Sequence, residues 1–305
     1  MAQPVPSPPA IGGRTALVGV LGDPVRHSLS PRMHNAALAV LGLDWAYLAL
    51  PTPAERLAVV LEALEALDCR GLNVTLPHKQ AVAELAAECS PLARRLGAVN
   101  TLVRRPQGGW FGTNTDVEGF LAPLRSDGSS WQGRRALVLG CGGSARAVVA
   151  GLAELGLASI AVATRRPEAA EAFCRDCSSW VPGLEPVGWP TGAEPAALTA
   201  ADLVVNTTPV GMASASDPAA TQRCPLEPAA LEALRTGCTV YDLIYTPRPT
   251  TLLREAASRG CTPIDGLEML VQQGAAALRL WSGRSDVPVE VMRNAALEHL
   301  AGSCP

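Results

Sequence analysis

A short apolar segment followed at once by a glycine-rich turn constrains the fold of this chain more than any other feature. Ala136 to Leu139 predict a buried strand, and the turn Gly140-Cys141-Gly142-Gly143 leads into a predicted helix from Ser144 to Leu155. Glycines at such a turn let a pyrophosphate approach the N–H groups at a helix N-terminus. The spacing is looser than the usual fingerprint, so a tight turn without a ligand is the alternative. The alternating strands and helices around the turn favour nucleotide binding.

Apolar segments of strand length alternate with segments of helical periodicity along most of the chain. The predicted strands are Thr15–Gly22, Trp45–Leu50, Gly71–Thr75, Ala136–Leu139, Ser159–Ala163, Asp202–Asn206 and Thr239–Leu243. The other predicted helices are Ser30–Leu41 with Ser30 as N-cap, Ala54–Leu67, Lys79–Ala87, Glu168–Phe173 and the chain after Gly266, and Pro182–Pro195 is predicted to be a loop. This order predicts an α/β protein in which an N-terminal α/β domain precedes a Rossmann-type, doubly wound dinucleotide-binding domain.

The 305 residues are enough for two domains with their own cores. We expect a disordered, proline-rich tail at residues 1–13, a substrate domain formed by residues 14–115 and 266–302, and a Rossmann domain at residues 116–265. The net charge of -3 without a basic block argues against a nucleic-acid partner. The chain has no apolar run of membrane-spanning length and no signal-peptide pattern, so neither a membrane location nor secretion is expected.

The nine cysteines are an odd number scattered through apolar stretches, which is typical of reduced thiols in the cytoplasm. Cys174 and Cys177 form a CxxC in a helical segment. A redox pair or half of a metal site is one interpretation, and two incidental helix cysteines are the preferred one. His27 and His34 lack metal-ligand spacing, so no metal site is expected.

The segment after the second strand of the nucleotide-binding half indicates which cofactor is bound. An NAD site usually carries an acidic residue there, which accepts hydrogen bonds from the ribose hydroxyls. Here the strand ends in Ala163-Thr164-Arg165-Arg166. Two guanidinium groups suit a 2′-phosphate, although a pair of solvated arginines is the alternative. The sequence therefore favours NADP.

A polar cluster is predicted from Asn73 onwards, in Asn73-Val74-Thr75-Leu76-Pro77-His78-Lys79, and from Asn100 to Asp116. One lysine and one aspartate ahead of a nucleotide-binding turn suggest an oxidoreductase that holds its substrate in one domain and a nicotinamide cofactor in the next. Lys79 is the candidate proton donor. Burial would lower the pKa of this lysine and a nearby Asp116 carboxylate would raise it, and the sequence does not decide between the two effects. A solvated lysine at Lys79 and an ordinary N-cap at Asp116 are the alternatives. A cation in the first turn of a helix opposes the helix dipole, which favours a functional role.

Ser28 and Ser30 flank Leu29, so both hydroxyls can face the same side and donate to one carboxylate. Turn and cap chemistry is the alternative for both serines.

These motifs together resemble the shikimate dehydrogenase family from about Val18 to Ala296. The remaining shared motifs are Gly22–Pro31, Gly97–Thr101, Asn114–Asp116, Gly140–Ala145, Asn206–Met212, Tyr241–Tyr245 and Asp265–Gln273. The resemblance implies NADPH-dependent reduction of 3-dehydroshikimate to shikimate, on the way to chorismate and the aromatic amino acids.

The resemblance also implies roles for individual residues. Lys79 and Asp116 would be the catalytic pair, and Ser28 and Ser30 would hold the substrate carboxylate. The residues implied around the rest of the substrate are Asn73, Thr75, Asn100, Tyr245 and Gln273. Those implied around NADP are Gly140, Gly142, Gly143, Ser144, Ala145, Thr164, Arg165, Arg166, Thr207, Met212 and Gly266. The chain departs from the family in carrying Ala169 where a further arginine is common, a role that Arg166 could take.

Two other functions stay open at this point. A quinate/shikimate dehydrogenase that uses NAD is the nearest, and a non-catalytic sensor of NADP or shikimate is the other. The expected partner is a small-molecule substrate. A homodimer is compatible with the sequence, which does not define the oligomeric state.

Overall fold

The computed structural model describes residues 11–126, 128–193, 195–214 and 217–302. The described chain divides into two compact units: unit 1 runs up to Gly119 and resumes at Leu270, and unit 2 comprises Phe120–Met269. Both divisions lie a few residues beyond the domain boundaries expected from the sequence. Residues 1–10 of the predicted disordered tail lie outside the described residues. Among the described residues, no helix combines the length and the hydropathy needed to cross a membrane.

Each unit contains one six-stranded sheet. The strands are, in chain order, β1 (Ala16–Gly22), β2 (Trp45–Pro51), β3 (Gly71–Val74), β4 (Glu88–Cys89), β5 (Thr101–Arg104), β6 (Trp110–Thr113), β7 (Arg135–Leu139), β8 (Ser159–Ala163), β9 (Leu184–Val187), β10 (Leu203–Asn206), β11 (Thr239–Asp242) and β12 (Thr262–Ile264). The helices are α1 (Ser30–Leu41), α2 (Leu57–Ala66), α3 (Lys79–Leu85), α4 (Pro91–Leu96), α5 (Asp116–Ser126), α6 (Gly143–Glu154), α7 (Pro167–Cys177), α8 (Ala196–Ala200), α9 (Pro228–Leu231), α10 (Thr251–Ser258), α11 (Leu267–Ser282) and α12 (Val289–Gly302).

The sheet of unit 1 has the order β2-β1-β3-β5-β6-β4 and is mixed. β1 pairs in parallel with β2 and β3, whereas β5 runs antiparallel to both β3 and β6. In this register Asn73 lies opposite Thr101, and Thr101 lies opposite Thr113. The end of β3, the start of β5 and the end of β6 therefore lie side by side at the same end of the strands. The segments after β3, before β5 and after β6 are brought together there. The core beneath includes Leu21, Leu72 and Leu102, all fully buried.

The sheet of unit 2 has the order β12-β11-β10-β7-β8-β9, with every pair parallel. This is the doubly wound order expected from the sequence, with the connection reversing direction between β7 and β10. The prediction of a loop at Pro182–Pro195 is wrong at Leu184–Val187, which forms the edge strand β9. Proline lacks a backbone N–H and cannot donate to a neighbouring strand. An edge strand tolerates Pro186 because the outer side of the sheet has no strand to pair with.

The prediction that Ser30 is the N-cap of α1 is also wrong. Leu29 occupies the cap position with helical backbone angles, and no side chain caps the helix there. Ser30 is instead the first helical residue, and its N–H donates to Ser28 Oγ at 3.2 Å. The two serines thus meet at the start of α1, and Pro31 is the second residue of the helix, where a proline is tolerated.

Candidate active site

The candidate active site of unit 1 contains an ion pair between two nearly buried side chains. Lys79 Nζ lies 2.6 Å from Asp116 Oδ2, and the two side chains are 12% and 7% exposed. Lys79 is the first residue of α3, and its carbonyl accepts a hydrogen bond from Val99 N at 2.8 Å. Asp116 is the first residue of α5, and its N–H donates to Asn114 Oδ1 at 3.0 Å. Both backbones are therefore fixed, so the charged ends meet in a defined geometry.

The carboxamide of Asn100 connects this pair to the sheet edge. Its Nδ2 donates to Asp116 Oδ1 at 2.7 Å and lies 3.0 Å from Thr115 Oγ1. The same nitrogen is 3.5 Å from Gln273 Oε1, while Gln273 Nε2 donates to Leu270 O at 2.8 Å. The structure therefore brings Lys79, Asn100, Asp116 and Gln273 into one cluster, although they are far apart in the sequence.

The other predicted substrate residues of unit 1 lie near strand ends and turns. Ser28 accepts the N–H of Ser30 at its oxygen, which leaves the Ser28 hydroxyl hydrogen available to a ligand. Thr75 follows β3, and in the described chain its hydroxyl has no hydrogen-bond partner. Its methyl group occupies the space where a side chain on Gly22 would lie, 2.5 Å from an added Cβ. Gly22 thus lets Thr75 pack at the end of the strand with its hydroxyl unused.

The glycine turn of unit 2 has the geometry expected of a phosphate-binding loop. Gly140 has φ 103°, and a Cβ there would lie 2.6 Å from Thr207 Oγ1, so only glycine fits. Gly142 is the N-cap of α6, and an added Cβ would meet no atom within 4 Å. The backbone at Gly142 and Gly143 therefore presents open N–H groups at the helix N-terminus, which suits a pyrophosphate. Thr207 closes the far side of the turn by donating to Leu139 O at 2.8 Å.

The segment after β8 fits a 2′-phosphate. Thr164 Oγ1 accepts the N–H of Arg166 at 2.9 Å, which fixes the turn ahead of α7. Arg165 and Arg166 are exposed, and neither guanidinium group has a hydrogen-bond or ion-pair partner among the described residues. Arginines held on a fixed turn without a carboxylate partner are free to bind a phosphate. The residues present thus suit NADP.

Three further residues predicted at the site lie in unit 2. Met212 is 38% exposed. Tyr245 is half-buried, and burial raises the pKa of its phenol. A Cβ on Gly266 would lie 2.0 Å from Leu243 O, so glycine is required at that position for packing alone. This close approach explains Gly266 without a ligand, and the predicted contact with NADP has no independent support in the structure.

The CxxC of α7 has the features of two buried structural thiols. Cys174 and Cys177 are buried, and burial raises the pKa of each thiol to about 11. All the cysteines in the described ranges are free. Because a thiolate is the reactive form, such thiols are poor nucleophiles near neutral pH. The interpretation as incidental helix cysteines is the one that these properties favour.

Sequence reasoning missed three residues. Thr101 and Thr115 contact the Asn100 carboxamide, and Tyr47 donates its hydroxyl to Asn73 Oδ1. Thr101 and Thr115 stand next to predicted site residues in the chain, and that adjacency was the available signal.

The basic residues of the sequence give a further indication that Lys79 is functional. Lysine and arginine together number 25, and Lys79 is the only lysine among them. A chain that uses arginine for every other basic position retains an ammonium group here, which points to chemistry that a guanidinium cannot perform.

The doubly wound unit with a phosphate-binding turn, together with a lysine–aspartate pair in the other unit, defines a dinucleotide-dependent oxidoreductase. Comparisons with known proteins identify the family. The model of the shikimate dehydrogenase substrate binding domain matches residues 20–102, and that of the shikimate 5′-dehydrogenase C-terminal domain matches residues 266–297. The shikimate dehydrogenase (NADP(+)) of Synechococcus sp. strain JA-3-3Ab is 50% identical over 291 residues, which are 95% of this chain and 96% of that protein.

Two solved structures agree. A shikimate dehydrogenase in complex with NADP+ is 34% identical with a TM-score of 0.86, covering 97% of this chain and 99% of that one. The Thermus thermophilus enzyme in complex with NADP(H) and shikimate is 39% identical with a TM-score of 0.80, covering 93% and 99%. The chain belongs to the family of NADP-dependent shikimate dehydrogenases, as its motifs predicted. The NAD-dependent quinate enzyme and the non-catalytic sensor are not favoured.

Proposed function

We propose that this chain catalyses the reversible NADPH-dependent reduction of 3-dehydroshikimate to shikimate, a step towards chorismate and the aromatic amino acids. The observation that carries the proposal is the nearly buried pair of Lys79 and Asp116, held by Asn100, in a member of this family. Withdrawing two charges from water costs free energy that their mutual attraction barely returns, so a nearly buried ion pair points to a role other than stability. Proton transfer to a substrate oxygen is a purpose that an ammonium group held by a carboxylate can serve.

Lys79 donates the proton in this proposal. NADPH supplies the hydride to the carbonyl carbon of the substrate. The ammonium group of Lys79 donates a proton to the carbonyl oxygen, and its positive charge stabilises the negative charge that develops there. Asp116 orients the ammonium through the 2.6 Å contact and accepts a hydrogen bond from a substrate hydroxyl. The reverse reaction returns the proton to Lys79.

The remaining predicted residues hold the two ligands. In unit 1, Ser28 and Ser30 would donate to the substrate carboxylate, and the substrate hydroxyls would meet Thr75, Asn100 and Gln273, with Asn73 supporting them. Tyr245 is the remaining residue proposed for the substrate. In unit 2, the pyrophosphate would be held by the turn at Gly140, Gly142, Gly143, Ser144 and Ala145. Thr164, Arg165 and Arg166 would hold the 2′-phosphate, and the other residues proposed for the cofactor are Thr207, Met212 and Gly266.

Initial rates with shikimate and with quinate, each with NADP+ and with NAD+, test the proposal. We expect shikimate with NADP+ to give by far the highest kcat/KM. Comparable turnover of quinate with NAD+ would establish the quinate-type alternative instead. Binding of shikimate and NADP+ without turnover in any combination would identify a sensor.

We further propose that the enzyme acts in the cytoplasm. The free thiols of the described cysteines support this, because such thiols persist in a reducing compartment. A homodimer stays a prediction, and light scattering on the purified protein tests it.

A further inference from the structure

The carboxamide of Asn100 is held on its oxygen side as firmly as on its nitrogen side. Asn100 Oδ1 accepts Thr115 N–H at 2.7 Å and the hydroxyl of Thr101 at 2.9 Å. With two donors at the oxygen, the nitrogen must face Asp116 Oδ1, 2.7 Å away. A flipped amide would place its NH2 group against these donors and its oxygen against a carboxylate. The orientation of Asn100 is therefore set by the donors at its amide oxygen, and not by Asp116 alone.

A buried phenol orients the amide of Asn73 so that its nitrogen faces the Thr101 hydroxyl. Tyr47 is fully buried on β2 and donates its hydroxyl to Asn73 Oδ1 at 2.8 Å. Asn73 Nδ2 then faces Thr101 Oγ1 at 3.3 Å and Asn100 O at 3.4 Å. Thr101 Oγ1 accepts from Asn73 and lies 3.1 Å from Thr115 Oγ1, and its own hydrogen goes to Asn100 Oδ1 at 2.9 Å, the shorter of its two oxygen contacts. Burial also raises the pKa of Tyr47 well above its usual value, so the phenol keeps the hydrogen that starts the chain.

We propose that Tyr47 and Thr101 are positioning residues of the reaction, whose hydroxyls fix the carboxamide of Asn100 and through it hold Asp116 towards the Lys79 ammonium. Neither residue contacts the ion pair itself. Without the Tyr47 hydroxyl, the Asn73 amide can turn its oxygen towards Thr101. The Thr101 hydroxyl then donates to Asn73 instead of Asn100. The inference rests on the proposed function, because it takes Lys79 and Asp116 as the pair that moves the proton.

Valine and serine at position 101 separate the hydroxyl from the shape of the side chain. We expect Thr101→Val to lower kcat about three- to tenfold, the effect of one neutral hydrogen bond, and to increase the solvent deuterium isotope effect on kcat. Thr101→Ser should restore kcat to within about twofold. The dissociation constant of NADP+, measured by calorimetry, should stay unchanged. Thr239→Val is the matched control, since Thr239 is a buried strand threonine of unit 2 outside the site.

Lys79 can be observed directly, because lysine labelled with 15N at Nζ gives a single side-chain signal in this chain. Thr101→Val and Tyr47→Phe should both move that signal, whereas Thr101→Ser and Thr239→Val should leave it in place. The double variant of Tyr47→Phe and Thr101→Val should have a kcat only slightly below that of the more impaired single variant. Both substitutions interrupt the same series of hydrogen bonds. If Tyr47→Phe does not fold, as judged by its thermal unfolding, the valine and serine variants decide the question.

Unchanged kcat and an unmoved Nζ signal in Thr101→Val would overturn the inference. An equal loss in Thr101→Ser, or the same changes in Thr239→Val, would overturn it as well. Lys79→Ala separates this failure from that of the proposed function. If Lys79→Ala is inactive and Thr101→Val is unaffected, only the inference about Tyr47 and Thr101 is contradicted. If Lys79→Ala is active, the proposed function is contradicted as well.

Discussion

Each unit buries an asparagine and an aspartate near the ends of neighbouring strands, and the two pairs are surrounded differently. In unit 1, Asn100 donates to an Asp116 carboxylate whose other oxygen meets Lys79. In unit 2, Asn206 donates to Asp242 Oδ1 at 3.0 Å, and Thr250 donates to Asp242 Oδ2 at 2.7 Å. The hydrogen-bond partners described for Asp242 are all neutral.

The difference shows that the role of a buried carboxyl group depends on whether its hydrogen-bond partners are neutral or charged. Burial raises the pKa of Asp242 to about 6, against the opposing effect of its hydrogen bonds. Asp242 joins β10, β11 and the start of α10, and it therefore acts as a structural clamp. Asp116 also accepts from an asparagine amide, but its second oxygen contacts the Lys79 ammonium. Because that cation carries a transferable proton, this carboxylate can take part in a reaction.

The largest effect should come from removing that cation. Lys79→Ala should lower kcat roughly 10²- to 10⁴-fold, the usual range for a lost general acid, while the KM of shikimate changes far less. Lys79→Arg is the matched control: it keeps the charge beside Asp116 but holds its proton too tightly to donate it, so it should also be severely impaired. Steady-state kinetics measure both. A variant that retains most of its kcat would remove Lys79 from the chemistry.

Cofactor binding should respond to unit 2 alone. Replacing Arg165 and Arg166 by alanine should weaken NADP+ roughly tenfold to a few hundredfold, since one or two charge-assisted bonds to the 2′-phosphate are lost. NAD+ has no such phosphate and should bind as before. The loss should shrink at high salt, because both arginines are exposed. Fluorescence titrations of both cofactors provide the measurement, and equal weakening of NAD+ would contradict the assignment.

Substrate binding should respond to Ser28 of unit 1 while cofactor binding does not. Ser28→Ala should raise the KM of shikimate roughly tenfold, the effect of one hydrogen bond to a charged group. The dissociation constant of NADP+ should not change. A substrate analogue without the carboxylate serves as the control, because its KM should be the same for the variant and the wild type. An equal rise for both compounds would show that Ser28 acts on something other than the carboxylate.

Acid should act on the two units in opposite directions. Burial lowers the pKa of His34 in unit 1 from 6.5 to about 4, so its stabilising contribution is complete above pH 6.5 and is lost as the pH falls towards 4. Asp242 has a raised pKa, from 3.8 to about 6, so its contribution is complete below pH 3.8 and is lost as the pH rises through 6. Each contribution is on the order of 3 kcal/mol.

Calorimetric unfolding between pH 7 and 5 tests this opposition. Asp242→Asn should make the Tm fall more steeply with acid than that of the wild type, because the effect of His34 is no longer offset. His34→Gln should make the Tm fall less steeply. Parallel Tm profiles for the wild type and both variants would show that neither group titrates as described.

The sequence predicted unit 2 better than unit 1 for a physical reason. Parallel strands such as Ala136–Leu139 are buried on both faces and appear as continuous apolar runs. The short strands β4, β5 and β6 lie among charged residues and glycines, where two to four residues show no periodicity. The motifs indicated Lys79, Asn100 and Asp116, whereas the contact of Tyr47 with Asn73 depends on the pairing of β2, β1 and β3, which local sequence does not reveal.

The single lysine has a practical consequence for anyone who handles this protein. Succinimidyl esters and aldehyde resins attach to side-chain amines, and the only such amine in the sequence is 12% exposed and paired with Asp116. Fluorescent labelling or immobilisation through lysine would therefore either fail or consume the active site. Conversely, saturating shikimate should protect against any amine-directed reagent that does inactivate the enzyme, and the peptide that shikimate protects from modification should be the one that carries Lys79.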